Sequence, residues 1–201
     1  MIVVVDYGMG NLRSVSKALE HLGGDVRVSA DPADVSRADK LVLPGVGAFG
    51  NAMEELRRRK LLDPVREYLT GRKPFLGICL GLQLLLNDSE ESPSVDGFGC
   101  VGGHVQGFRG SGIKVPHMGW NKVCIRKQHP VLRGVKDGSY FYFVHSFYAV
   151  CNDIAAVAAS CTHGTDEFAA IVARDSIIAT QFHPEKSQEA GLRILKNFLE
   201  W

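Results

Sequence analysis

Apolar residues in the first half of this chain fall into two alternating patterns. Ile2 to Val5 is an unbroken β-branched run, as expected of a strand buried on both faces. After the glycine-containing turn of residues 6–11, apolar residues recur at Leu12, Val15, Leu19 and Leu22, the spacing of one helix face, and Gly23-Gly24 stops the pattern. Residues 26–29 and 41–43 predict further strands with short helical patterns between them. Such alternation predicts a three-layer α/β fold, a mostly parallel central sheet with helices on both faces. From Val101 onward the runs are short, aromatic and punctuated by Gly and Asn, as in Tyr140-Phe141-Tyr142-Phe143-Val144. These predict antiparallel strands extending the same sheet. Residues 87–97 are polar and turn-rich and read as a surface loop. No composition break or internal repeat divides the 201 residues, so a single domain over 1–201 is expected.

The most informative stretch is Pro74-Phe75-Leu76-Gly77-Ile78-Cys79-Leu80-Gly81-Leu82-Gln83. A short apolar run, long enough for a buried strand, enters a Gly-x-Cys-x-Gly turn, and residues 80–86 then predict a helix. Small residues flanking the cysteine permit the sharp strand-to-helix turn of a nucleophile elbow. Such a turn lifts the Cys79 sulfur above the sheet edge and sets it at a helix N-terminus, where exposed N–H groups favour a thiolate. A buried free cysteine is the plainer reading; a nucleophile requires a base elsewhere. The base candidate lies in Gln181-Phe182-His183-Pro184-Glu185. An apolar strand runs towards His183, and in extended backbone residues two apart share a side. Glu185 then orients one nitrogen of the His183 ring and leaves the other free to act as a base. Helical spacing at Leu192, Leu195 and Leu199 follows.

Pro44-Gly45-Val46-Gly47-Ala48-Phe49-Gly50 contains G-x-G-x-x-G between a predicted strand and a predicted helix, the context of a dinucleotide fingerprint. That use needs an acidic residue ending the next strand, about 20 residues on. Asp63 is at that distance but precedes Pro64 inside a helical stretch, and the next strand begins only near Pro74. The dinucleotide reading therefore fails. The loop serves equally as a tight turn or as a source of backbone N–H groups for an oxyanion above Cys79.

Composition narrows the rest. A net charge of +1 gives no basic footprint for nucleic acid, and Arg57-Arg58-Arg59-Lys60 reads as a solvated helix face. No stretch has the length of a membrane span, and the first residues lack the pattern of a signal peptide. Five cysteines without a C-x-x-C pair, and seven histidines without H-E-x-x-H, point away from zinc or a disulfide framework. A reduced, cytoplasmic setting is expected.

The elbow at Gly77 to Gln83 together with Phe182-His183-Pro184-Glu185 resembles the triad-type, class I glutamine amidotransferases. Asp6-Tyr7-Gly8-Met9-Gly10-Asn11, Pro116-His117-Met118-Gly119-Trp120-Asn121 and Val144-His145-Ser146-Phe147 are similar, more narrowly, to the glutaminase subunits of imidazole glycerol phosphate synthases. The resemblance implies a nucleophile Cys79 with His183 and Glu185, oxyanion donors at the Leu80 and Val46 N–H groups, and glutamine held by Gly47, Gln83 and Ser146. A turn of the Gly45-Val46 peptide, with Gly45 as hinge, would aim the Val46 N–H inward. It also implies ammonia delivery to a cyclase partner of (β/α)8-barrel fold in histidine biosynthesis, docked on Asn11, Met118, Trp120, Tyr140 and Lys186, with no metal and no cofactor. Trp120 and Met118 are equally consistent with ordinary core packing. The family commonly has tyrosine where this chain has Phe147, so a hydroxyl contact is lost there. Another synthase's amidotransferase subunit and a free-standing γ-glutamyl hydrolase are the alternative functions.

Overall fold

The computed structural model of the chain describes residues 1–110 and 112–201. Its first half alternates: β1 (Ile2–Val5), α1 (Leu12–His21), β2 (Val26–Ser29), α2 (Pro32–Arg37), β3 (Lys40–Gly45), α3 (Phe49–Arg58), α4 (Leu62–Thr70), β4 (Phe75–Cys79) and the single turn α5 (Leu80–Gln83). The second half is rich in strands: β5 (Asp88–Ser89), β6 (Gly103–Gly107), β7 (His117–Lys122), β8 (Cys124–Ile125), β9 (Tyr140–His145), β10 (Phe147–Cys151), β11 (Val157–His163), β12 (Asp166–Arg174) and β13 (Ile177–Thr180), closed by α6 (Gln188–Glu200). The central sheet has 8 strands in the order β2-β1-β3-β4-β13-β12-β11-β8. Neighbours from β2 to β13 run parallel, and β12, β11 and β8 continue the sheet antiparallel. The expected α/β class, with its antiparallel extension, is the one observed.

The unbroken apolar run of β1 is accounted for by its two covered faces. Side chains alternate along a strand. Val3 and Val5 pack with Phe49, Met53 and Leu56 of α3 and with Val65 of α4. Ile2 and Val4 pack with Val15 and Leu19 of α1 and with Ile194, Leu195 and Phe198 of α6. Fully burying each such side chain is worth roughly 1.5–3 kcal/mol, so the two faces stabilise the sheet jointly.

Three expectations are corrected. Residues 140–144 do not extend the central sheet; β9 pairs with β7 as a separate two-stranded ribbon, while β10, β6 and β5 form a third sheet. The reason is amphipathic alternation. Tyr140 is 51% exposed whereas Phe141 and Phe143 are buried, a pattern that suits one wet face and not a strand covered on both sides. Second, the helix expected over 80–86 ends after one turn. The Leu84, Leu85 and Leu86 carbonyls instead accept from the N–H groups of Phe98, Val101 and Gly99 at 2.8, 3.0 and 3.1 Å. Third, the segment 87–97 is not only a surface loop. It contains β5, and its Glu91 and Ser92 accept from the Phe49 and Gly50 N–H groups at 2.8 and 3.1 Å. The first N–H groups of a helix have no intrahelical partner, and this loop supplies two to α3.

The elbow is set by backbone contact. Cys79 has φ 55° and ψ −105°, outside the regions an L-residue favours. A Cβ on Gly81 would stand 1.9 Å from the Leu43 carbonyl oxygen, and one on Gly77 would stand 2.7 Å from the Gly81 oxygen. Gly81→Ala should therefore lower unfolding stability by about 1–3 kcal/mol, read from denaturant midpoints, and slow alkylation of Cys79. An unchanged midpoint would show that β3 and α5 are free to separate.

Candidate active site

The strands bring the predicted residues to one place, at the C-terminal ends of the parallel strands. In register, Gly45 of β3 lies beside Cys79 of β4, and Thr180 of β13 lies beside Ile78. Chain leaving β3 therefore forms one wall of the site, and chain leaving β13 delivers His183. β13 itself stops at Thr180; Pro184–Lys186 is a 3-10 turn, and this turn, not extended backbone, carries Glu185 back to the ring. His183 Nδ1 lies 2.9 Å from Glu185 Oε1, and the Glu185 side chain is fully buried. Nε2 of His183 makes no hydrogen bond among the described residues and is left free on the Cys79 side of the ring. Burial disfavours a charged His183 ring, but neighbouring Cys79 and Glu185 outweigh it and raise the imidazole to about 10.

In front of Cys79 lies a cleft of about 460 Å³ lined by Val46, Gly47, Leu80, Gln83, Glu91 and Ser146, among others. The expected oxyanion and glutamine-binding residues thus share one cavity with the nucleophile candidate. Gly45 does more than allow rotation: a Cβ there would stand 2.4 Å from the Tyr7 hydroxyl and 2.9 Å from Leu80 Cβ. Any bulkier residue at 45 disturbs this packing, so substitution there does not isolate a peptide turn. The other thiols stand apart. Burial pushes Cys151 up to about 11 and Cys161 up to about 12, and raises Cys100 as well. A larger cleft of about 890 Å³ lies by Pro74, Ser176 and Ile177, where β4 and β13 begin, at the far end of the strands from Cys79; it has Cys100 but no histidine in its walls.

The expected docking residues are placed on the surface. Met118 is 60% and Trp120 46% exposed, which overturns core packing for both. With Tyr140 they lie on the outward face of the β7–β9 ribbon, where Trp120 pairs with Tyr142. Lys186 Nζ sits 5.8 Å from the centre of the Tyr142 ring, joining that face to the turn that bears Glu185. Asn11 precedes the first turn of α1, and α1 packs against the same Pro184–Lys186 turn.

Sequence reasoning missed Gln181, Glu91 and Tyr142. Gln181 is fully buried; its Nε2 points to Cys79 Sγ at 3.7 Å, and its Oε1 accepts from Gln83 Nε2 at 3.2 Å. A buried carboxamide must find partners, so a glutamine directly after an apolar strand was the available signal. Glu91 lay in a stretch whose polarity suggested only solvent. Among the described residues, no group of three or more His, Cys, Asp or Glu is arranged to hold a metal, and no helix is long and apolar enough to cross a membrane.

A strained cysteine elbow thus faces a His–Glu pair at the strand ends, and the sequence profile of the family "Glutamine amidotransferase class-I" matches residues 3–201. The chain belongs to that family. It is 51% identical to imidazole glycerol phosphate synthase subunit HisH of Syntrophotalea carbinolica, covering 98% of each chain. With the subunit HisH of Geobacter sulfurreducens the identity is 49%, over 99% of this chain and 98% of the relative. A chain in the structure of PurLQS from Thermotoga maritima shares the fold, with TM-score 0.74, 21% identity, and 99% and 97% of the two chains covered.

The His183 geometry gives a pH prediction. Its folded pKa is raised above the unfolded value, so the folded chain retains a proton that the unfolded chain releases. The resulting stabilisation is complete below about 6.5 and is lost as pH climbs through about 10. NMR titration of the ring should place its midpoint near 10, and Glu185→Gln should move it down. A midpoint near the ordinary histidine value would mean that neither partner acts on the ring.

Proposed function

We propose that the chain, acting as one domain, hydrolyses glutamine to glutamate and passes the ammonia to a partner cyclase, as the glutaminase subunit of an imidazole glycerol phosphate synthase. The observation that carries this reading is the Cys79 elbow facing the His183–Glu185 pair. Cys79 Sγ attacks the carboxamide carbon of glutamine and forms a tetrahedral intermediate. The Leu80 N–H at the elbow and the Val46 N–H in the glycine-rich loop are its oxyanion donors; one such donor is typically worth about 2.7–4 kcal/mol. The C–N bond breaks as His183 gives its proton to the departing ammonia, leaving a thioester on Cys79. Water then attacks, His183 takes its proton, and glutamate leaves with the thiolate restored. Glu185 holds the ring on Nδ1 throughout. Gly47, Gln83 and Ser146 bind the substrate from the cleft wall, and Glu91 supplies a carboxylate suited to its ammonium group.

The family's partner, a cyclase of (β/α)8-barrel fold, fits a chain with one cleft for this chemistry and a separate exposed aromatic face. Exposed apolar residues grouped in this way mark interaction surfaces. Met118, Trp120, Tyr140, Lys186 and Asn11 are assigned to that contact, which places the Pro184–Lys186 turn between partner and nucleophile. Such a heterodimer needs no nucleic acid or membrane and works in the cytoplasm.

Glutamate release from glutamine, measured with and without the cyclase, tests the reaction directly. Cys79→Ser should abolish it while the assembled pair still forms cyclised product from ammonium salts. Failure with ammonia as well would give this chain a role other than nitrogen supply.

The docking assignment has its own measurement. Trp120→Ala should weaken association with the cyclase by about 2 kcal/mol in a titration, as expected of a central aromatic anchor. Unaltered affinity would move the interface away from the β7–β9 ribbon.

A further inference from the structure

A chain of hydrogen bonds runs from β7 to the floor of the cleft, and simple chemistry fixes its direction. The Oδ1 of Asn121 accepts from the Lys122 N–H at 2.8 Å, and its Nδ2 donates to the Thr162 carbonyl at 2.9 Å. An N–H only donates and a carbonyl only accepts, so the Asn121 amide has one orientation. Nδ2 therefore donates to His117 Nε2 at 3.1 Å, and a neutral His117 must carry its proton on Nδ1. That nitrogen stands 3.0 Å from His145 Nε2, and His145 Nδ1 stands 2.8 Å from the Phe147 carbonyl.

Tracing the chain from the other end gives the same answer. The Phe147 carbonyl only accepts, so His145 donates from Nδ1 and, when neutral, offers a lone pair at Nε2. His117 must supply the proton between the two rings. A second proton on His145 would set two N–H groups face to face; on His117 it would meet the Asn121 amide hydrogens. Burial agrees, pushing His117 down to about 4 and His145 down to about 3, with the nearby histidine charges acting in the same direction. The rings have little freedom to turn. His117 stacks on Phe143 at 4.8 Å and on His163 at 4.2 Å, and Phe168 lies 5.1 Å from His145.

The Phe147 carbonyl also accepts from Gln83 Nε2 at 2.8 Å. The other hydrogen of that amide goes to Gln181 Oε1. With both hydrogens committed, Gln83 has its oxygen left for the cleft. Gln181, accepting at Oε1, keeps its Nε2 turned to Cys79.

We propose that His117 and His145 are positioning residues for glutamine hydrolysis: as neutral rings protonated on Nδ1, they anchor the Phe147 carbonyl and thereby hold Gln83 with its oxygen towards the substrate. The inference deepens the glutaminase reading above and rests on it. Neither ring touches the reacting atoms. Their role is to define which end of Gln83 a substrate ammonium or amide meets.

Two measurements test it. Nitrogen-15 NMR of the full chain at pH 7 should show His117 and His145 both neutral with the proton on Nδ1; an imidazolium, or a proton on Nε2 in either ring, overturns the proposal. The second measurement is glutamine turnover by the chain assembled with its cyclase. His145→Leu removes the donor to Phe147 and should raise KM about tenfold with a smaller change in kcat. In His145→Asn an amide nitrogen stands where Nδ1 stood, so KM should return to within roughly threefold of the unsubstituted chain. Equal loss in both variants, or an unchanged KM in His145→Leu, overturns the proposal. The NMR result needs no activity, so a chain that does not hydrolyse glutamine would refute the glutaminase reading while leaving the proton positions separately readable.

Discussion

One close backbone approach underlies the site: the Leu43 carbonyl lies against Gly81 so tightly that no side chain fits between them. This contact seats α5 on β3 and fixes the sharp turn through Cys79. A residue at positive φ with such a ψ costs about 1–3 kcal/mol, and it persists only where its surroundings leave no alternative. β4 meets that condition, since β3 and β13 pair with it on both sides. The same parallel pairing delivers the other parts of the site. Wherever three neighbouring parallel strands end together, the chains leaving them converge, and here those chains are residues 46–48, the elbow and the His183 segment.

Electrostatics divides the site into a charged pair and neutral surroundings. His183 is pushed upward by Cys79 and Glu185 despite its burial. Tyr7, buried close by, is pushed upward by burial and by the Cys79 charge, so it stays an uncharged phenol. His117 and His145 are held neutral. Charge is therefore favoured at the His183 ring, while the buried His117, His145 and Tyr7 side chains beside the cleft stay neutral.

The sequence was most legible where one short segment determines the outcome. β1 declared itself because only a strand covered on both faces is apolar at every position. The elbow declared itself because glycines flank a cysteine after an apolar run. His183 and Glu185 lie two residues apart, so their contact is local, although a 3-10 turn rather than a strand creates it. The partition of the later strands among three sheets was not legible, because pairing partners such as Tyr148 and Gln106 lie far apart in the chain. Gln181 and the His117–His145 contact escaped for the same reason. The departure at Phe147 also looks different in three dimensions. A side-chain hydroxyl is missing there, yet the contacts with Gln83 and His145 are made by the backbone carbonyl, which every residue type carries.

The β7–β9 ribbon presents Met118, Trp120 and Lys122 on one side and His117, Gly119 and Asn121 on the other. With a side-chain period of two, a shift of one residue would exchange the two sets completely. Trp120 would lose its outward position in the same step that His117 left its ring partner. Insertion or deletion of a single residue within this strand therefore cannot be confined to one side of it. Unless a β-bulge absorbs it, one added or removed residue in β7 disturbs the outward aromatic face and the His117 ring contact together.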